Sequence, residues 1–173
     1  TLVRTGLSRI ETAPDAKNWR PHLLVFSGSP TKRLHLIELA IAFTHNRALI
    51  TVASVLPSGS RRGAQQESLE GTIREYLEKQ NIQAFVRVVT ADDPFAGMEK
   101  LVESYGIGAL IPNTILVGDT EADENRDRFC QMIAACHDAK RNVVIFRNNP
   151  DQAIPQRYLT ELRRIDIWWG GLH

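Results

Sequence analysis

Short apolar runs alternate along the chain with longer stretches of helical periodicity. Five runs have the length and the bulky or β-branched composition of buried strands, and they lie at residues 23–26, 48–56, 84–89, 113–118 and 142–146. The first run stops at Ser27-Gly28-Ser29-Pro30, which is typical of a turn. The pattern therefore predicts five strands separated by turns.

Helical spacing fills the intervals between these runs. Apolar residues recur there at i, i+3, i+4 and i+7, which indicates helices with one buried face. The predicted buried faces are Leu36, Leu39, Ala40 and Phe43; Leu69, Ile73, Tyr76 and Leu77; Met98, Leu101, Val102 and Tyr105; and Phe129, Met132, Ile133 and Cys136. A last helix is predicted near residues 156–164, and a further strand at 165–169.

Strands that alternate with helices are typical of an α/β fold. We predict a doubly wound, mostly parallel five-stranded sheet of order 3-2-1-4-5 with helices on both faces, because right-handed crossovers leave few other topologies. In that order, strands two and three are added on one side of strand one, and strands four and five on its other side. The turns after Phe26 and Val117 should then face each other at the carboxyl edge, where such folds bind ligands.

Several local features are predicted beside the sheet. Residues 58–66 are polar and contain glycine, so we expect a mobile loop there. The helix that follows should carry Glu70–Arg74 and Glu75–Lys79 ion pairs on its exposed side, and Asn81 should end it. Trp19, in an otherwise weakly periodic segment, should be buried because its side chain is large and apolar.

Composition and charge narrow the class of protein. The 173 residues are 43% apolar and 24% charged, which is typical of one globular domain with a substantial core. A net charge of +1 gives no overall field for nucleic acid, and no apolar run approaches the roughly 20 residues that cross a bilayer. Cys130 and Cys136 lie on different faces of one predicted helix, which indicates unpaired thiols and a reducing compartment. Because the chain begins at Thr1, we expect it to be a segment of a longer protein.

The turn after the first strand has two possible roles. Ser27, Gly28 and Ser29 could bind a phosphate through turn amides and a helix N-terminus. Alternatively, the turn is a structural cap with Ser29 or Thr31 at the N-cap and Pro30 in the first helical turn. The chain contains neither a phosphate-binding loop motif nor a dinucleotide fingerprint, and the structural role is favoured.

Other candidate sites also have simple structural interpretations. Asp92 and Asp93 could form a carboxylate pair, but a helix cap already explains them. Cys130 and His137 are two helical turns apart, about 10 Å, which is too far for a thiolate–imidazole pair. The histidines lack zinc-site spacing, and the acidic residues 121–127 resemble a solvated helix start. We expect no catalytic residue, metal or cofactor, and an α/β-hydrolase-like enzyme lacks a nucleophile with its base.

Five motifs, taken together, resemble the cytosolic C-terminal domain of cation–chloride cotransporters, including prokaryotic members. They occur in the family's order, at residues 18–21 (NWRP), 27–30 (SGSP), 91–93 (ADD), 112–118 (PNTILVG) and 165–169 (IDIWW). The resemblance implies a universal-stress-protein-like lobe over residues 22–164, a connector from a membrane region at 1–21, and the start of a second lobe or further strand at 165–173.

The same resemblance implies a non-catalytic regulatory and dimerisation domain on the cytoplasmic side of the cell membrane. Its partners would be a second copy and the membrane-embedded transport domain of the same polypeptide, and it would not bind nucleic acid. The alternative is a stand-alone nucleotide-binding universal-stress-type protein. Such proteins carry a glycine-rich loop after strand four, whereas here acidic residues follow Gly118, which should repel a triphosphate. If any turn binds a ligand, its residues are Ser27, Gly28, Ser29 and Gly118.

Overall fold

One parallel sheet of five strands organises the molecule. The computed structural model describes Thr5 and residues 19–147 other than 46, 60, 61, 109 and 121. Its strands are β1 (His22–Phe26), β2 (Leu49–Pro57), β3 (Phe85–Ala91), β4 (Thr114–Gly118) and β5 (Asn142–Phe146). They pair in parallel in the order β3-β2-β1-β4-β5, which confirms the predicted sheet and its order. The predicted helix at 156–164 and strand at 165–169 lie outside the described residues.

Helices cover both faces of this sheet. They are α1 (Leu34–Thr44), α2 (Arg62–Lys79), α3 (Pro94–Ser104) and α4 (Arg126–Asp138), and a 3₁₀ turn at Asp123–Asn125 precedes α4. Helices α1 and α2 pack on one face, and α3 and α4 pack on the other. The predicted doubly wound α/β architecture is therefore confirmed.

The central strand β1 joins the two halves of the core. Leu23 and Val25 pack in the cluster with α1 and α2, while Leu24 and Phe26 pack in the cluster with α3 and α4. Alternate side chains of a strand point to opposite faces, so a strand covered on both faces must be apolar throughout. This requirement explains the continuous apolar run of β1.

Helix α1 departs from the prediction at its start and on its buried face. It begins at Leu34, after a turn in which the amides of Lys32 and Arg33 donate to the Ser29 carbonyl, so neither Ser29 nor Thr31 caps it. Its buried residues are Leu36, Ile37, Ala40 and Thr44, whereas Phe43 is exposed. Apolar residues lie all around this helix, so periodicity alone does not fix which of them the sheet covers.

Helix α2 begins earlier than predicted and uses one carboxylate differently. It starts at Arg62, so the second half of the predicted loop is helical. Glu70 does not pair with Arg74: its Oε1 lies 3.7 Å from an Arg87 nitrogen and accepts a 2.9 Å hydrogen bond from the Val88 amide. Glu70 thus covers the outer edge of β3. Asn81, with φ of +56°, ends the helical region as predicted.

Helix α3 begins at the predicted cap and lies unusually close to the sheet. Asp93 is its N-cap and accepts hydrogen bonds from the amides of Phe95 (2.8 Å) and Ala96 (3.2 Å). A Cβ atom added to the buried Gly97 would lie 2.4 Å from Val55 Cγ1, so only glycine permits this approach of α3 to β2. The first turn of α3 is therefore held by both a cap and a close contact.

The amino edge of the sheet is held together by Asn113. Its Oδ1 accepts from the His22 amide at 3.0 Å, and its Nδ2 donates to the Arg20 carbonyl at 2.7 Å. Its main chain also pairs with His22 and Asn142, so this residue joins the starts of β1, β4 and β5. Nearby, Trp19 is half exposed, and the prediction that it is buried is wrong for the structure as described.

Candidate functional site

A cavity of about 870 Å³ opens at the carboxyl edge of the sheet, beyond the ends of the paired strands β1 and β4. Its lining includes residues of the three central strands, among them Phe26 of β1, Ala53 of β2 and Val117 of β4. The turns after β1 and β4 form facing walls and contribute Gly28 and Gly118. This carboxyl-edge cavity lies at the predicted position, where the order of parallel strands reverses.

The structure separates the four residues predicted to form a ligand turn. Gly28 and Gly118 line the carboxyl-edge cavity, but Ser29 lines a second space of about 400 Å³ between the turn and α2. Ser27 lies beneath the turn, fully buried, and its hydroxyl has no hydrogen-bond partner in the described part of the molecule. Two of the four residues therefore share one cavity.

The turn after β1 is fixed by the main chain of Gly28. Its φ of +62° lies in the left-handed region that favours glycine, and nothing lies within 4 Å of a Cβ built there. The Ser54 hydroxyl of β2 donates a hydrogen bond to the Gly28 carbonyl. This turn is anchored to the neighbouring strand rather than to a helix cap.

Three arginines and two aspartates supply the full charges of the cavity lining, as far as the described residues show. Arg128 contacts Asp93 at 3.0 Å, and Arg147 lies 3.7 Å from Asp119. Arg33 has no ion-pair partner among the described side chains, and its guanidinium lies 3.6 Å from a Cβ built on Gly118. The lining thus carries one uncompensated positive charge beside the facing turns.

Asp93 is held in its charged form by its surroundings. Partial desolvation raises the pKa of its carboxyl, but the amide hydrogen bonds of Ala96 and Phe95 and the Arg128 guanidinium outweigh it and lower the pKa below its usual value. Asp92, by contrast, is exposed and does not line the cavity. The structure therefore does not bring the two carboxylates together as a reactive pair.

His35 forms one side of the cavity against Phe146, with ring centroids 5.4 Å apart. Burial is the main cause that lowers the pKa of its imidazole, and Arg33 adds to this effect more than Glu38 opposes it. His35 is therefore neutral at pH 7 and offers both a donor and an acceptor to the cavity.

The acidic loop after β4 faces the cavity less than its sequence indicates. Asp119 lines the cavity but lies beside Arg147, while Asp123 is exposed and pairs with Arg126. The main described charge of this wall is therefore compensated. At Asp119, the described carboxylate that lines the cavity, Arg147 therefore weakens the expected repulsion of a phosphate.

The thiols and the remaining histidines stand apart from the cavity. Cys130 and His137 are exposed on α4, and neither lines it. Burial raises the pKa of the Cys136 thiol to about 11, which is consistent with its place in the core. Among the described residues no group of His, Cys, Asp and Glu side chains has a metal-site arrangement, and no described helix is both long and apolar enough to cross a bilayer.

Sequence reasoning missed the arginines that give the cavity its charge. Arg33 immediately precedes α1, and Arg147 immediately follows β5, so both lie at the carboxyl ends of strands or in the turns beside them. That position is a usable signal, because all such residues meet at one edge of a parallel sheet. Arg128 lies in the first turn of α4, beside the lining residues Asn125 and Phe129, and pairs with Asp93 there.

Comparison with known sequences connects the chain to one family of membrane transport proteins. The family model described as solute carrier family 12 matches residues 33–158. Mouse solute carrier family 12 member 2 is 31% identical over 137 residues, which are 76% of this chain and 11% of the relative. The chain thus spans about a tenth of the length of the curated relatives it matches.

Two solved structures are similar in backbone. The cytoplasmic domain of a prokaryotic cation chloride cotransporter is 17% identical, with a TM-score of 0.49, and the match covers 78% of this chain and 48% of that one. A universal stress protein in complex with cAMP is 13% identical, with a TM-score of 0.48, and the match covers 74% and 98%.

Proposed function

Because this chain belongs to solute carrier family 12, the cation–chloride cotransporter family, we propose that it forms a cytoplasmic regulatory and dimerisation domain of such a cotransporter. The observation that carries the proposal is the family match, which spans the lobe from the start of α1 beyond β5. The transported ions, Na⁺, K⁺ and Cl⁻, would cross through a membrane-embedded domain of the same polypeptide. The lobe would lie on the cytoplasmic side of the cell membrane.

The chemistry of the cavity supports a non-catalytic role. The described lining residues include no Ser, Cys or Lys, and the one lining hydroxyl, that of Thr120, makes no hydrogen bond to a described His or Asp side chain that could act as its base. Its two aspartates, Asp93 and Asp119, form ion pairs with Arg128 and Arg147. Binding, rather than covalent chemistry, is what this lining favours.

The two edges of the sheet differ in a way that supports dimerisation through β5. At the outer edge of β3, the Val88 amide donates a hydrogen bond to Glu70, and Arg87 lies beside that carboxylate. This edge is therefore protected from pairing with another strand. Strand β5 has no comparable cover among the described residues, and its Ile145 is 49% exposed. An open apolar edge strand is a surface that proteins commonly pair or cover.

The dimer is tested by sedimentation of the chain over a range of concentrations. We expect a monomer–dimer equilibrium that Ile145→Lys shifts toward monomer, because a buried lysine at a strand edge opposes pairing. Ile107→Lys, an exposed apolar position away from β5, is the matched control and should leave the equilibrium unchanged. A chain that is monomeric at every concentration would contradict dimerisation by this lobe.

Regulation is tested in the full-length cotransporter. Cells that express the Ile145→Lys variant should show altered chloride-dependent uptake of Na⁺ or K⁺ at unchanged surface expression. Equal uptake by the variant and the unmodified transporter, despite loss of the dimer, would separate dimerisation from regulation.

Nucleotide binding in the carboxyl-edge cavity is a second candidate function. It is favoured by the uncompensated Arg33 beside Gly28 and Gly118, which can attract a phosphate. Calorimetric titration with AMP, ADP and ATP tests it, with Arg33→Gln expected to weaken any binding at least tenfold and Lys32→Gln as the matched control. Absence of heat at high nucleotide concentration would reject this candidate and leave the regulatory proposal intact.

A further inference from the structure

The amino edge of the sheet, opposite the cavity, has an exposed apolar surface. Of the seven large apolar side chains that are exposed in the described residues, six lie at this edge: Trp19, Phe43, Leu49, Phe85, Ile107 and Ile111. Ile107 is 74% exposed and Phe85 is 56% exposed. Isolated exposed apolar residues are common, but a set confined to one end of a domain indicates a contact surface.

The topology brings these residues to one end. All five strands are parallel, so every strand begins at this edge and every crossover helix ends there. Leu49 and Phe85 open β2 and β3, and Trp19 directly precedes the entry to β1. Ile107 lies in a short loop before β4 that is closed by two main-chain hydrogen bonds with Leu110, of 3.1 and 2.9 Å.

The charges at this edge are basic. In the described segments that lead from a helix end, or from residue 19, into a strand, the charged residues are Arg20, Arg47, Lys140 and Arg141, and none is acidic. The last turns of the helices, where Phe43 also lies, add Lys79 and the acidic residues Glu78, Glu103 and Asp138, so basic residues remain in excess at this edge. We call the six apolar and four basic residues the amino-edge surface.

We propose that the amino-edge surface docks on an anionic phospholipid membrane. Aromatic and branched aliphatic side chains partition into the headgroup region, and lysine and arginine are attracted to anionic headgroups. A second copy fits less well, because a symmetric contact would bring together two copies of the same net basic surface. The strands would then point away from the membrane, and the carboxyl-edge cavity would face the cytoplasm.

The proposal is tested by co-sedimentation of the purified chain with vesicles of two compositions. Vesicles of phosphatidylcholine with phosphatidylserine should bind the chain, and added salt should weaken binding, since exposed charges are screened. Vesicles of phosphatidylcholine alone should bind it at least tenfold less. Equal binding to both compositions, or binding to neither, would overturn the proposal.

Matched variants locate the contact. The triple variant Arg47→Gln, Lys140→Gln, Arg141→Gln should lose roughly 100-fold in partitioning, at about fivefold for each basic residue near an anionic surface. The control triple Lys32→Gln, Arg74→Gln, Arg126→Gln removes the same charge from exposed positions elsewhere and should retain binding. Similarly, Ile107→Ser should weaken binding without changing the monomer–dimer equilibrium.

Two results would reassign the surface. If the control triple weakens binding as much as the amino-edge triple, general positive charge explains the effect and the proposal is wrong. If Ile107→Ser abolishes self-association in sedimentation, the occupant is a second copy rather than lipid. The vesicle experiment does not depend on the cotransporter's ion flux or on the β5 edge, so its failure is distinguishable from failure of the proposed function.

Discussion

At the carboxyl edge of the sheet the helices begin, and polar turns enclose a cavity; at the amino edge the helices end, and apolar side chains stand beside basic ones. The carboxyl edge has both signs of charge, mostly paired, as in Asp93 with Arg128 and Asp119 with Arg147. The amino edge has no acidic residue in its described loops. The same five strands therefore end in two surfaces of different chemistry, one suited to enclosing a small polar molecule and the other to an extended contact.

The difference has a structural origin in how each edge is held. At the carboxyl edge, close packing of α3 on β2 and the cap at Asp93 fix the cavity wall. At the amino edge, hydrogen bonds of Asn113 fasten the strand starts, and the loops leave apolar side chains uncovered. Substitutions that remove the stabilising contacts of one edge at a time test whether the two edges contribute independently to the stability of the lobe.

The largest effect is expected from Gly97→Ala, which should destabilise the carboxyl edge. The added methyl group would overlap Val55, and overpacking of this kind costs about 1–3 kcal/mol. The matched control is Gly71→Ala in α2, where nothing lies within 4 Å; it should stabilise the helix by about 0.5–1 kcal/mol. Urea unfolding of both variants measures the opposite signs, and a stabilising Gly97→Ala would contradict the close approach.

Asn113→Ala should destabilise the amino edge by about 1–3 kcal/mol, because it leaves the His22 amide and the Arg20 carbonyl without their side-chain partner. Asn125→Ala is the control at the other edge, since the Asn125 side chain makes no cap hydrogen bond. That control should change the free energy of unfolding by less than about 0.5 kcal/mol. Equal losses of stability in the two variants would show that the Asn113 side chain does not specifically stabilise the amino edge.

Removal of the α3 cap should have a smaller effect. Asp93→Ala loses both the cap and the Arg128 contact and should cost about 1 kcal/mol. Asp93→Asn keeps an acceptor for the helix amides and should cost less. Because the pKa of Asp93 is lowered in the folded state, its stabilisation is complete above the usual carboxyl range and is lost as the pH falls through the folded value. Unfolding measured along an acid series should show this loss in the unmodified chain and not in Asp93→Asn.

The smallest effect concerns one histidine at each edge. Burial lowers the pKa of His22, and burial with Arg33 lowers that of His35. The unfolded chain therefore binds protons first as the pH falls below about 6.5, and stability decreases in that range. His22→Gln and His35→Gln should each flatten the dependence of stability on pH, as measured by urea unfolding at a series of pH values. If the stability of both variants depends on pH as steeply as that of the unmodified chain, His22 and His35 are not the cause of this dependence.

Much of the fold was predictable because the central strands are buried on both faces. The run 23–26 has no polar residue that would place it on a surface, and β5 was bounded correctly by Asn142 and Phe146. The buried face of helix α1 was harder to predict, because the helix carries apolar residues on all sides. Periodicity alone could not show that Ile37 is buried and Phe43 is exposed. The same limit applies to Glu70, since its partners on β3 are distant in sequence.

The position of the candidate site was predictable and its charge was not. Strand order alone placed Gly28 and Gly118 across the sheet edge from each other. The charge of the loop after Gly118 could not be predicted from its acidic residues alone, because Arg147, which lies 3.7 Å from Asp119, is distant in the sequence. Ser29 was assigned to a cap by a general preference, which the intervening turn overrides.

The parallel arrangement also gives the lobe a mechanical polarity. The chain enters the sheet at its centre, on the amino edge before β1, and leaves the described lobe after β5, on the carboxyl edge. Segments attached at the two positions are therefore held apart by the length of a five-residue strand, about 17 Å. A pull between them would load the β1–β4 and β4–β5 ladders along the strands, with many hydrogen bonds sharing the load, so the lobe would transmit displacement as a stiff spacer.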